Sequence, residues 1–225
     1  MDKGQKQGET QREERIRQIV DVTTALYDRD GYDAVTFSTI GRGLDFSRIN
    51  LYNYFRGKED IFLLILRRDI EAMVQDAAAS FTVPENDLTV FAAAWGALMM
   101  RHQRMMSLFG IVNTILLRGA GDEAHVAFRA AIHEKFLRLG AIVRRVLPWM
   151  DSRLSAAFVD FENSYAMTLY PASVEYKTAQ GIAIFSDVGY GTRSFLPQYI
   201  AYLTVILCGL YSQGDVHVLE KAGAS

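Results

Sequence analysis

A chain of 225 residues, half of them hydrophobic, is long enough to bury a sizeable core and belongs with compact globular folds. Its 24 Lys and Arg against 26 Asp and Glu leave a formal charge of −2, which excludes a global basic footprint and requires any nucleic-acid contact to rest on a local patch. The single cysteine, Cys208, excludes an internal disulfide and is compatible with a reducing compartment. Set in the apolar stretch Leu203–Leu210, it reads as a buried small hydrophobe.

The polar N-terminus, Met1–Thr10, lacks the apolar run of a secretion signal and reads as a disordered arm. From about Arg12 to Asp30, Ile16, Ile19, Val20, Thr23 and Tyr27 recur at the spacing of a one-sided amphipathic helix, with Gly31 placed to end it. Further on, segments at about 58–79, 87–104, 107–117, 123–147, 153–170 and 195–211 read as helices bounded by Pro, Gly or Asp. Pro171–Arg193 resists assignment, because its glycines and β-branched residues weaken a helical reading. The longest apolar stretches, Phe91–Met100 and Ile200–Tyr211, fall short of the roughly 20 residues that cross a bilayer, so a soluble, cytoplasmic chain is expected. The fold class this predicts is all-α.

Between Thr36 and Lys58 the pattern becomes chemically informative. Phe37, Ile40 and Leu44 share one face of a short helix that Thr36 can cap; Asp45-Phe46 supplies a turn, and Ser47 can cap a second helix over 48–55. A helical period turns Leu51 and Phe55 inward and leaves Arg48, Ile49, Asn50, Asn53 and Tyr54 largely outside. That is a set for reading a major groove: a guanidinium for guanine, carboxamides for adenine, an apolar contact for a thymine methyl. Tyr52 and Tyr54 carry hydroxyls suited to phosphate, and Thr36, Ser38 and Lys58 lie at helix N-termini, where free amides favour an anion. Four cations (Arg42, Arg48, Arg56, Lys58) against one anion (Asp45) make this segment the basic patch that the whole chain lacks.

Gly31-Tyr-Asp-Ala-Val-Thr-Phe-Ser-Thr-Ile40, followed by Leu51-Tyr-Asn-Tyr-Phe-Arg-Gly-Lys-Glu-Asp-Ile-Phe62, resembles the N-terminal signature of the tetracycline-repressor (TetR) family. The likeness covers about residues 15–62 and departs from the family pattern at Gly41 and Asp45. By position, it implies base contacts from Arg48, Ile49, Asn50 and Asn53 and phosphate contacts from Thr36, Tyr52, Tyr54 and Lys58. It further implies a DNA-binding domain over 1–60 and a helical effector-binding and dimerisation domain over 61–225, with the last two helices forming a homodimer face. Phe195–Tyr211, apolar nearly all round, suits a helix buried on both sides.

For an effector, Trp95, Met99, Met100, His102, Met105, Phe109, Asn113, Phe128, His133, Phe136 and Tyr165 supply bulky apolar side chains with a few polar atoms. The same stripe also fits plain core. The expected function is a ligand-responsive repressor, released from a palindromic operator by a small hydrophobic effector; the alternative is a helical small-molecule binding protein that does not read DNA. His125 and His133 lack the spacing of a metal site, Gly189-Tyr-Gly-Thr-Arg-Ser194 lacks the Lys and third glycine of a phosphate loop, and no nucleophile–base pair is evident. Neither catalysis nor a cofactor or metal is therefore expected.

Overall fold

The computed structural model describes residues 3–44, 48–178 and 194–223, with side chains for 8–44, 50–174 and 194–213. In chain order the elements are α1 (Lys3–Asp30), α2 (Phe37–Gly43), α3 (Arg48–Leu51), α4 (Lys58–Ser80), α5 (Leu88–Arg101) and α6 (Gln103–Gly110). A π-helical turn (Val112–Leu116) leads into α7 (Leu117–Gly119), α8 (Asp122–Val146), α9 (Ser152–Thr178) and α10 (Phe195–Gly223). Among the described residues there is no strand, as the all-α reading requires. The chain divides into two compact units: Met1–Arg68 with Ile111–Ala130, and Asp69–Gly110 with Ala131–Ser225.

In the first unit the apolar stripe of α1 buries Ile19, Val20 and Thr23, the last satisfied by donating its hydroxyl to Ile19 O at 2.7 Å. Gly31 ends this helix at φ +79°, in the left-handed region where a side chain is strained, and its N–H bonds Tyr27 O at 2.8 Å. Phe62 of α4 is wholly buried, with Tyr27 edge-on at 5.5 Å and Tyr32 at 4.8 Å. Ion pairing adds Arg68 of α4, which donates to Asp21 at 2.6 Å and to the Thr24 hydroxyl at 2.9 Å.

The second unit is built on α5, against which α10 packs, with α9 packing on both α10 and α6. Phe81, Phe91, Trp95 and Phe158 form its aromatic centre, with ring centroids 5.3 to 5.7 Å apart. Asp87 caps α5 by accepting the N–H groups of Thr89 and Val90 at 2.8 and 3.2 Å. Ion pairs also tie this unit together: Arg104 grips Asp69 through two 2.7 Å bonds, and Glu71 accepts from Lys135 and Arg138 at 2.5 and 2.9 Å. The Lys135 bond foremost holds the Glu71 carboxyl down at about 2.

Several sequence expectations are corrected. Helix α1 begins at Lys3 rather than 12, because Gln, Lys and Glu, which favour helix, make up most of residues 3–11, and the segment holds no proline. The segment expected at 87–104 breaks at His102 (φ −115°, ψ 44°), whose ring Nε2 lies 3.0 Å from Asp76 Oδ2. Beyond it, the expected 107–117 helix is α6 followed by the π-helical turn. Helix α9 runs through Pro171 to Thr178, because the carbonyl the proline leaves unbonded, Met167 O, faces Gly110; a Cβ there would sit 2.7 Å from Pro171 Cγ and 3.1 Å from Met167 O. The rest of the unassigned stretch, 179–193, lies outside the described residues.

Cys208 is exposed, not buried. Helix α10 turns Phe195, Tyr199, Leu203, Leu207 and Leu210 inward, while Val205 is 70% exposed on the opposite side. Its segment Phe195–Gln213 is long and apolar enough to cross a membrane, against the shorter stretch expected, a property that core helices of soluble folds share.

Candidate nucleic-acid interface and effector core

Helix α2 starts where its first free amides find a partner. Thr36, extended at φ −137° and ψ 161°, accepts the Thr39 N–H at 3.1 Å, and Thr39 Oγ1 accepts the Thr36 N–H at 2.8 Å, a reciprocal cap. Phe37 and Ile40 are thereby buried, leaving Thr36 and Ser38 exposed. Helix α3 is shorter than the 48–55 expected. It ends at Leu51, and the chain tightens through Asn53 N–H to Asn50 O (3.3 Å) and Tyr54 N–H to Leu51 O (3.0 Å), bonds spanning three residues instead of four. Asn and Tyr are weak helix formers, and the turn still buries both Leu51 and Phe55.

Asn50, Asn53 and Tyr52 are exposed and Tyr54 half-buried. The expected turn at Asp45-Phe46, the Ser47 cap and the side chains of Arg48 and Ile49 lie outside the described residues; the backbone places Arg48 and Ile49 in the first turn of α3. Tyr52 packs on Phe37 at 4.8 Å, and Arg12 of α1 sits 5.8 Å over the Tyr54 ring.

Thr36, Tyr52 and Lys58 converge on a shallow pocket of about 230 Å³ that Arg56 also lines. Lys58 is held in place there, donating to Tyr32 O at 2.9 Å with its ammonium 3.9 Å above the Tyr32 ring. Burial, reinforced by donation to Glu59 Oε1 at 2.8 Å, raises the Tyr32 phenol above its ordinary value. Asp60 fixes the loop before α4: its carboxylate accepts Arg56 N–H at 3.0 Å and Gly121 N–H at 3.1 Å. The pocket joins a threonine hydroxyl, a phenol, a guanidinium and an ammonium near two helix N-termini, a set that suits an anionic oxygen. Sequence reasoning counted Arg56 as charge without assigning it; its place two residues before Lys58 was the available signal.

The candidate effector residues do not form one group. Asn113 and Phe128 belong to the first unit, where exposed Asn113 accepts from Arg129 at 3.2 Å. In the second, Trp95, Met99, Met105 and Phe109 are buried, Phe109 stacks on Phe136 at 6.3 Å, and Tyr165 stacks on Tyr202 at 3.8 Å. Half-buried Met100 and His102 stand at the end of α5, and His133 is exposed. Unforeseen in the sequence is a polar knot at the aromatic centre, around Glu162 of α9, which is wholly buried. Its Oε2 accepts from the Tyr199 hydroxyl at 2.5 Å and its Oε1 from Asn163 Nδ2 at 2.9 Å. Burial pushes the Glu162 carboxyl up to about 8, against the lowering effect of the Tyr199 hydroxyl and the nearby Trp95 N–H, and raises the Tyr199 phenol as well.

Residues 67–214 match the family model of the tetracyclin repressor-like C-terminal domain, and residues 19–65 match that of the bacterial regulatory proteins of the tetR family. The chain belongs to the TetR family. It is therefore a transcription regulator with an N-terminal helix-turn-helix DNA-binding domain followed by a helical C-terminal domain. No curated protein matches the sequence. Among solved structures it is similar in fold to the fatty acid degradation regulator FadR from Bacillus halodurans, at 13% identity and TM-score 0.53 over 84% of this chain and 94% of that one. It is similar likewise to the TetR-family regulator PfmR from Thermus thermophilus (17% identity, TM-score 0.50, 84% and 96% covered). A TetR/AcrR-family regulator from Thermobifida fusca is similar to the same degree (18% identity, TM-score 0.50, 85% and 97% covered).

Proposed function

We propose that this TetR-family regulator is a cytoplasmic repressor that binds a palindromic operator as a homodimer and is released by a small apolar effector. The observation that carries the reading is the concentration of exposed Asn50, Asn53 and Tyr52 beside a pocket holding Thr36, Arg56 and Lys58, on a chain with no net basic charge. In this reading Arg48, Ile49, Asn50 and Asn53 meet base edges, while Thr36, Ser38, Tyr52, Tyr54 and Lys58 meet phosphates. The functional division falls near residue 60, with effector binding and dimerisation assigned to 61–225. The exposed apolar side of α10 around Val205 and Cys208 supports pairing with a second copy, which places two α3 helices on successive major grooves.

Fluorescence anisotropy with the DNA upstream of its own gene, at two salt concentrations, tests the reading. Arg48→Ala costs about 1–3 kcal/mol and relaxes sequence preference, while Lys58→Ala weakens all sequences alike and flattens the salt slope. Because Lys58 also bonds Tyr32, its variant is compared after a thermal melt establishes the folded fraction. Unchanged binding in both variants would refute the assignment.

A further inference from the structure

The polar knot at the centre of the second unit leaves one buried donor unpartnered. Asn163 directs its amide to Val159 O at 2.8 Å and Glu162 Oε1 at 2.9 Å, and the Tyr199 hydroxyl donates to Glu162 Oε2 at 2.5 Å. Trp95 Nε1, fully buried and near enough to this pair to bear on its charge, makes no hydrogen bond with the described residues. An orphaned buried N–H forfeits the hydrogen bond that water gives it in the unfolded chain, so its place in a packed aromatic core points to a group that arrives later. With its carboxyl pushed up to about 8 by burial, Glu162 is an acid at neutral pH. The protonated form brings a further O–H group beside the Trp95 N–H. Rings pack against both partners: Phe91 and Phe158 against Trp95, Phe195 and Tyr165 against Tyr199.

We propose that Trp95, Glu162 and Tyr199 receive the oxygen of an uncharged, apolar carbonyl compound, with Trp95 Nε1 donating to that oxygen and the surrounding rings enclosing the hydrocarbon. A cationic ligand fits less well, because the orphaned group is a donor. The inference deepens the effector reading above and rests on it for its regulatory meaning.

The test uses three probes on one carbon skeleton, titrated calorimetrically into the full chain: benzophenone, diphenylmethane and diphenylmethylamine, which is an ammonium at neutral pH. The expected result is that the ketone binds about fivefold or more tighter than the hydrocarbon, as one restored hydrogen bond requires. Trp95→Phe, which keeps a ring and deletes the N–H, brings the two affinities together. The carbonyl stretch of bound benzophenone moves to lower frequency in the wild type and returns in Trp95→Phe, a change that a purely structural tryptophan would not produce. Equal affinities in the wild type, a preference that survives Trp95→Phe, tightest binding of the ammonium, or no binding of any probe each overturns the proposal. The wild-type comparison stands even if the variant folds poorly. Operator binding measured in parallel separates the two readings: DNA bound without probe discrimination sinks the carbonyl site alone, and discrimination without DNA binding sinks the repressor.

Discussion

Replacing Glu162 by Gln isolates the energetic consequence of burying an acid. The carboxyl titrates at about 8 when folded against an ordinary 4.5, so the native state holds its proton more tightly than the unfolded chain. A raised acid stabilises fully below the unfolded value, and that contribution drains away as pH rises toward the folded value. At about 1.4 kcal/mol per pH unit, linkage gives a loss of roughly 2.5 kcal/mol between pH 5 and pH 7, levelling off above pH 8. Gln keeps the shape of the side chain and does not titrate. Urea unfolding at half-unit steps from pH 5 to 8.5 therefore shows the wild-type free energy falling relative to that of Glu162→Gln, with the difference curve flat at the upper end. Glu71 and Asp76, both lowered chiefly by hydrogen bonds from Lys135 and Arg101 respectively, titrate below this window and cancel in the comparison. Parallel curves for the two proteins would show that Glu162 is ionised throughout, and would refute both the raised pKa and the further O–H group that rests on it.

Other expectations follow from named contacts. Asp60→Ala leaves the N–H groups of Arg56 and Gly121 without their partner and lowers stability by about 1–3 kcal/mol, read as a fall in the urea midpoint. Phe62→Ala empties a wholly buried site and costs about 3–5 kcal/mol by the same measurement, with a smaller loss if the flanking tyrosines collapse into the space. Glu71, lowered to about 2, contributes stability that is present above 4.5 and lost as pH falls toward 2, so acid unfolding of Glu71→Gln shows a shallower transition than the wild type. Val205→Glu places a charge on the exposed apolar side of α10; under the proposed pairing, sedimentation gives a dimer mass for the wild type and a monomer mass for the variant, and equal masses would remove that face from the interface.

What could be read from the sequence was whatever repeats at short range. The stripe Ile16, Ile19, Val20, Thr23, Tyr27 marks α1 because one helical period brings those residues to one side, and Gly31 marks its end because the left-handed backbone there favours glycine. Thr36 was legible as a cap for the same local reason. What escaped depends on distant partners. Pro171 reads as a stop until Gly110, 61 positions earlier, is seen to lie against it. Nothing local marks Glu162 as buried; its partner Tyr199 lies 37 positions later. The short α3 and the π-helical turn escaped because propensity fixes helix existence better than helix register.

The assignment of Ile111–Ala130 to the same compact unit as Met1–Arg68 bears on how such a regulator can be rebuilt. The polypeptide leaves that unit after Arg68, returns at Ile111 and leaves again after Ala130. A fragment cut after residue 68 loses the buried Leu116, Leu117 and Phe128, as well as the Gly121 amide that Asp60 holds. Swapping operator specificity between two regulators of this design by a single crossover near residue 65 therefore transplants an incomplete part. A working chimera carries 111–130 along with the N-terminal segment, or keeps Asp60, Leu116, Leu117 and Phe128 common to both parents.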